Sequence, residues 1–139
     1  MQPTGSETII HPVKQKLWIE HTYGPVDFQT YRDLIGCSMI TFVRLYDNGD
    51  GVYLDDEGLY ADPQHFWMHR NYPQPLCNKG VFIGVDDEGE STVPSTPLPV
   101  LEKDIVYCGS RYDLAFMVRI NGHLINTEEG YEDYRPLFF

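Results

Sequence analysis

The chain has 139 residues, a length at which one domain can bury roughly two thirds of its unfolded surface, and 42% of them are hydrophobic and 14% aromatic. Its 21 acids against 10 bases give a formal charge of −11, which argues against direct binding of nucleic acid, since phosphate contacts need clustered Lys and Arg. There is no apolar run of about 18 residues to span a membrane, and the start "MQPTGSETII" lacks the basic and apolar stretches of a secretory leader, so a single-domain, cytoplasmic protein is expected.

The charge is segregated. Residues 1–46 hold Glu7, Glu20, Asp27 and Asp33 against Lys14, Lys16, Arg32 and Arg44, so the whole acidic excess lies in residues 47–139. Such a balance suits a basic partner, a metal ion or simple solubility. Cys37, Cys77 and Cys108 are odd in number, widely spaced and form no CxxC, so reduced, mostly buried thiols are expected rather than a disulfide framework or a cysteine zinc cluster.

In chain order, "ETIIHPV" and "KLWIEHT" are rich in β-branched and aromatic residues and predict strands near 7–12 and 16–22. The period then changes in "GPVDFQTYRDLIG". Phe28, Tyr31, Leu34 and Ile35 recur at helical spacing, Asp27 can cap the first turn and Gly36 follows the last apolar residue as a stop, which predicts a short amphipathic helix lying on a sheet.

"CSMITFVRLY" and "GVYLD" predict two further strands, joined at Asn48-Gly49, a pair that tolerates positive φ and marks a hairpin. "ADPQHFWMHRNYPQP" breaks the strand pattern. A helical turn starting at Pro63 with Asp62 as cap fits its front half, and Pro73 and Pro75 force extended chain behind it. "KGVFIGVDDEG" predicts a strand and turn. Pro94, Pro97 and Pro99 predict an extended loop over 91–102, and "DIVYCGS" and "LAFMVRINGHLIN" supply two or three final strands, the latter split by a hairpin at Asn121-Gly122. The end, 128–139, is an acidic and then aromatic tail.

Three chemistries can be weighed against these elements. "YDNGDGVYLDDEG" places Asn48, Asp50, Gly51, Tyr53 and Glu57 at positions 3, 5, 6, 8 and 12 of a calcium loop, but Tyr46 stands where the first carboxylate belongs and the flanks are strand-like. His65 and His69 would share a helical face as candidate metal ligands, with Cys77 or Asp62 to complete a site, yet the glutamate of HExxH is missing. No GxSxG, phosphate-cradling loop or thiol-enzyme signature is present, so no catalytic residue and no cofactor is assigned.

What remains is an acidic surface in three groups. Asp47, Asp50, Asp55, Asp56 and Glu57 form the first, Asp86, Asp87, Glu88 and Glu90 the second, and Glu128, Glu129, Glu132 and Asp133 the third. On one edge of a sheet they would make a continuous negative patch resembling a row of DNA phosphates, able to steer a basic protein.

Over roughly residues 7–100, the strand pair, the helix ending in "YRDLIG", "VYLDDEGLY" and "GVFIGVDDEGE" together resemble an uncharacterised family of small domains common in phages and plasmids. In that family the helix closes in a Leu-Val-Gly-Gly-like motif, where Ile35-Gly36-Cys37 stands here. The resemblance implies no activity; it implies the company of a mobile element. The combined expectation is an α+β domain, a mainly antiparallel sheet with one short amphipathic helix on a face. It would act as a non-enzymatic acidic accessory protein of a virus or mobile element that binds a host or viral protein, a basic or nucleic-acid-binding one. A metal-dependent or hydrolytic enzyme and a structural or assembly protein are the alternatives.

Overall fold

The computed structural model describes residues 5–24, 26–58, 64–120 and 134–139. The fold is α+β, with antiparallel strands throughout. In chain order it runs β1 (Gly5–His11), β2 (Lys16–Thr22), α1 (Phe28–Ile35), β3 (Ile40–Arg44), β4 (Gly51–Asp55), β5 (His65–His69), β6 (Leu76–Cys77), β7 (Gly80–Val85), β8 (Ser91–Thr92), α2 (Leu98–Lys103), β9 (Ile105–Ser110), α3 (Arg111–Ile120) and α4 (Arg135–Phe138). The main sheet is ordered β2-β1-β7-β4-β3, with β8 added to β7, and a second sheet is ordered β6-β5-β9.

Successive side chains of a strand point to opposite faces, and here both faces of the main sheet are covered. Ile10, Val52, Leu54 and Phe82 point to the side where they meet Trp67 and Ile105 of the second sheet and Leu101 of α2. Their neighbours Ile9, Tyr53, Val81 and Ile83 point the other way, onto Tyr31, Leu34 and Ile35 of α1. The second sheet repeats the pattern: Phe66, Met68 and Cys108 face away from the main sheet and pack with Leu114 and Met117 of α3 and Phe138 of α4. The result is a stack of α1, main sheet, second sheet and the α3–α4 layer. Trp67 is fully buried at its centre, its indole N–H donating to Asn78 O at 3.1 Å; truncation of so large a buried ring costs about 3–5 kcal/mol.

The expected helix is α1, and its ends are those read from the sequence. Asp27 Oδ1 accepts from Thr30 N at 3.1 Å while Thr30 Oγ1 accepts from Asp27 N at 3.2 Å, a reciprocal cap. Gly36 closes the helix in the left-handed region at φ 84°, donating its N–H to Arg32 O at 2.7 Å. The hairpin through Asn48-Gly49 is also present, with a longer connection than a two-residue turn: Arg44 pairs with Gly51, and the N–H groups of Leu45 and Tyr46 both donate to Asp50 O.

Four expectations are corrected. His65–His69 is a strand, the centre of the second sheet, where a helical turn was expected, because pairing on both sides and apolar contacts on both faces outweigh the local Pro63 signal; Asp62 and Pro63 themselves lie outside the described residues. "RYDLAFMVRI" is helix α3 in place of a strand. Ser110 and Asp113 cap it reciprocally, Ser110 N donating to Asp113 Oδ2 at 2.9 Å and Asp113 N to Ser110 Oγ at 3.3 Å. Gly109, at φ 71°, makes the strand-to-helix corner, and a Cβ there would stand 2.7 Å from Asp113 Oδ2. The proline-rich stretch 91–102 carries β8 and ends in α2, whose first turn accommodates Pro99 because its N–H would be unpaired in any case. Among the described residues α2, α3 and α4 therefore join the expected helix α1. The Asn121-Gly122 hairpin lies outside the described residues.

The aromatic end of the chain is docked. Tyr134 N donates to Pro73 O at 2.6 Å, Phe138 joins the cluster around Phe66 and Cys108, and the Arg70 guanidinium lies 4.9 Å from the centre of the Phe139 ring.

Candidate functional site

Strand register decides where the acidic turns lie. Gly51 pairs with Ile83 and Arg44 with Gly51, so the β3–β4 turn and the β7–β8 turn emerge side by side at one end of the main sheet. A Cβ on Gly49 would stand 3.9 Å from Val85 Cβ, which places the two turns in contact. Asp47, Asp86, Asp87, Glu88 and Glu90 are all exposed there. Asp86 also organises its turn, its Oδ1 accepting from Glu88 N and Glu90 N, both at 2.9 Å. The nearby base Arg44 is exposed as well, its guanidinium donating to the carbonyls of Tyr46 at 3.1 Å and Asp47 at 2.7 Å.

The remaining acids do not share this edge. Leu54 pairs with Gly80 and Ile40 with Asp55, so Asp55, Asp56 and Glu57 leave the opposite end of β4, four residues of extended chain or about 14 Å from Gly51. Asp50 is not surface at all, at 2% exposure. Its carboxylate accepts from Thr96 N at 2.7 Å, Thr96 Oγ1 at 2.6 Å and Asn48 Nδ2 at 3.2 Å, fastening the β3–β4 turn to the proline-rich stretch. Glu128, Glu129, Glu132 and Asp133 lie outside the described residues. The first group is thus divided between the two ends of the sheet, and among the described acids Asp47, Asp86, Asp87, Glu88 and Glu90 share one exposed two-turn end.

The same geometry disposes of the calcium alignment. The oxygens of Asn48 and Asp50 are engaged by the turn itself and by Thr96, while extended β4 carries Tyr53 and Glu57 away from them. His65 and His69 are likewise separated. Four residues apart on a strand they stand about 13 Å from each other, and they serve different surroundings: His65 lines a hollow at the Asp55 end, whereas His69 is fully buried at the other. Cys77 is buried, its thiol donating to Gly58 O at 3.5 Å. Burial pushes the Cys77 and Cys108 thiols up to about 11 and about 12, so they remain protonated.

Beneath the acidic end lies a buried polar chain that the sequence reading missed. His69 Nδ1 accepts from Asn71 N at 3.0 Å, which places the ring proton on Nε2, 2.9 Å from Tyr46 Oη. The Tyr46 hydroxyl in turn donates to Asp104 Oδ2 at 3.0 Å, and Asp104 Oδ1 accepts from Arg70 Nε at 3.2 Å. Burial, opposed in part by Asp104 and reinforced by Arg70, holds the His69 pKa down to about 4. Burial and the bonded Asp104 carboxylate drive the Tyr46 phenol far above its ordinary range, so neither ring is poised to transfer a proton near neutrality. The chain ties β5, the β3–β4 turn and the α2–β9 corner together. Tyr46, with Arg44, Leu45, Asp47 and Asn71, also lines a surface hollow of about 460 Å³ at this end.

The profile of a family described as a domain of unknown function (DUF3846) matches residues 8–102, from within β1 to the last turn of α2. The chain belongs to the DUF3846 family. The DUF3846 region therefore includes the main sheet, apart from the first three residues of β1, and both acidic turns described above, while β9, α3 and α4 follow it. The chain is also similar to the uncharacterized protein y4iR of Sinorhizobium fredii (strain NBRC 101917 / NGR234), 37% identical over 62 residues. That match takes in 45% of this chain and 38% of y4iR, so less than half of the relative's length is spanned. No solved structure matches. No helix among the described residues is long and apolar enough to cross a membrane.

Proposed function

We propose that this DUF3846 chain is a non-enzymatic accessory protein of a virus or mobile element that engages a basic protein, one that ordinarily contacts nucleic acid, through the acidic end of its main sheet. One observation carries the reading. The β3–β4 and β7–β8 turns touch, and they expose Asp47, Asp86, Asp87, Glu88 and Glu90 together, five carboxylates against the one neighbouring base, Arg44, whose guanidinium is held on turn carbonyls. Five carboxylates on two adjoining turns raise a local negative potential able to steer a cationic partner. The area is a compact patch, so the mimicry is of a few phosphates and not of a long duplex.

Affinity capture of partners from host lysate at stepped salt is the test, run on two variants beside the parent chain. Neutralising Asp47, Asp87, Glu88 and Glu90 as Asn or Gln leaves the turn-forming Asp86 in place and should abolish capture of a basic partner. Neutralising Asp56 and Glu57 at the opposite end should leave capture intact. Equal loss from both variants, or capture indifferent to salt, removes the reading.

A further inference from the structure

The end of the main sheet opposite the acidic turns is mixed in charge: Asp55, Asp56 and Glu57 leave β4 there, while Lys14 and Lys16 flank the β1–β2 turn and Lys79 precedes β7. The β1–β2 hairpin turn, the start of β7 and the last turn of α1 enclose a hollow of about 270 Å³ whose wall includes His11, His65, Asn78, Lys79 and one carboxylate, Asp55. Next to it, Trp18 gathers bases. The His11 ring centre lies 5.0 Å from the indole, and the ammonium groups of Lys14 and Lys16 stand 5.4 Å and 5.1 Å from its centre. Among the described residues no carboxylate forms an ion pair with Lys14, Lys16 or Lys79, the one ion pair being Arg70–Asp104. Lys79 thus stands in the wall of the hollow with no carboxylate partner among the described residues, and Lys14 and Lys16 gather on Trp18 beside His11, one of the wall residues.

The donors on this wall are fixed in orientation. His11 Nδ1 accepts from Lys14 N at 3.3 Å, which leaves the proton of the neutral ring on Nε2. Asn78 is held at φ 63° by two bonds to one residue: its N–H donates to His65 O at 2.8 Å, and its Oδ1 accepts from His65 N at 3.0 Å. With Oδ1 so engaged, the Nδ2 amide of Asn78 is a donor without a partner among the described residues. Burial first, and then the charges of Lys79, Lys14 and Lys16, hold the His11 pKa below its ordinary value, so His11 is a neutral donor that bound negative charge would help to protonate.

We infer that this hollow is a binding site for a small oxyanion, a phosphate- or carboxylate-bearing molecule, held by Lys79, Asn78 and His11, with Lys14 and Lys16 at its rim. Asp55 faces the same space and accepts from a hydroxyl or amine on the bound molecule; its Oδ1 already receives Glu57 N at 2.9 Å. The hollow suits a metabolite-sized molecule and not a polymer.

The test follows the His11 side chain by NMR at pH 7 and constant ionic strength while inorganic phosphate, acetate or chloride is added to the full chain. Saturable shifts with phosphate or acetate at concentrations up to about 10 mM, together with a rise in the His11 pKa, are expected; whichever oxyanion binds tighter names the class. Lys79→Met and Asn78→Gly, the latter free to keep positive φ, should each weaken binding by about tenfold or more. Lys103→Gln, in α2 and away from the hollow, should leave binding unchanged. Shifts that chloride reproduces, a linear response without saturation, or undiminished binding in a natively folded Lys79→Met chain would overturn the inference. A thermal melt of each variant separates loss of the site from loss of the fold.

Discussion

His69 gives the structure a pH-dependent stability whose sign and size can be worked out. In the fold its ring is fully buried, Nδ1 receives the Asn71 N–H, and Nε2–H donates to Tyr46. Protonation would set a second N–H against that of Asn71, and it would place a charge where burial disfavours one. The ring's pKa falls accordingly from 6.5 to about 4. Between those values the unfolded chain binds a proton that the fold refuses, so stability rises with pH through this window. The contribution is fully present above pH 6.5 and is lost as the pH falls toward 4. At about 1.4 kcal/mol for each pH unit of depression, the whole effect is about 3 kcal/mol, of which about 2 kcal/mol should be gone by pH 5. Urea unfolding at steps from pH 7 to pH 4 measures it. His69→Gln supplies the reference, since its amide can still donate toward Tyr46 but does not titrate; subtracting the two profiles removes the contributions of Glu7 and His11, which are shifted too. The subtracted curve should fall across this window by the stated amount. Parallel profiles for the two chains would refute the assignment of a buried neutral His69.

Three further outcomes follow from the same geometry. Tyr46→Phe removes the group that accepts from His69 and donates to Asp104, leaving two buried partners unmatched; urea melts should show a loss of about 1–3 kcal/mol for each, and an effect under 0.5 kcal/mol would contradict the burial of the network. Asp50→Ala strips Thr96 and Asn48 of their acceptor and should lower stability by about 2 kcal/mol or more, with hydrogen exchange accelerated in both 46–50 and 93–97; a change confined to one segment would break the proposed linkage. Gly109→Ala must hold a side chain at φ 71° against Asp113, a backbone penalty of about 1 kcal/mol or more, and circular dichroism should report loss of helix from α3 together with a lower melting midpoint.

Much of the main sheet was legible because each of its signals is local. Asp27 and Gly36 mark the ends of α1, Asn48-Gly49 marks a turn, and "GVYLD" and "GVFIGV" are apolar runs bounded by turn residues. The second sheet was misread where its signals are long-range. "HFWMH" becomes strand through pairing with Gly109 and Tyr107, some forty residues later, and nothing in its neighbourhood announces that partner. The error over α3 had a local remedy: Ser110 followed by Asp113 is a capping box directly before an apolar run, and it outranks the β-propensity of "AFMV". Of the site, the acidic turns were visible as composition, but their division between two sheet ends follows from register alone. Asp50 illustrates the limit. In the sequence it is one more acid in an acidic run, and only the arrival of Thr96, 46 residues on, turns it inward.

Both buried polar networks fasten the same small element. The β3–β4 turn is gripped on one side by Asp50 through Thr96 and on the other by Tyr46 through His69 and Asp104. A turn serving only to reverse the chain needs neither, because its own bonds, Gly49 N to Tyr46 O and Asp50 N to Asn48 Oδ1, already close it. Buried networks of this kind cost desolvation and contribute little net stability unless every member is satisfied. Their gain is in fixing position. A turn so held, with the Asp86-organised β7–β8 turn packed beside it, offers its carboxylates to a partner with little left to order on binding, and it is that ordering cost which most reduces the affinity of loop-borne surfaces. The proposed acidic interface therefore predicts its own coupling: Thr96→Val, which touches no exposed acid, should weaken capture of a basic partner through a slower or less complete association, whereas a purely diffuse electrostatic attraction would be unchanged by it.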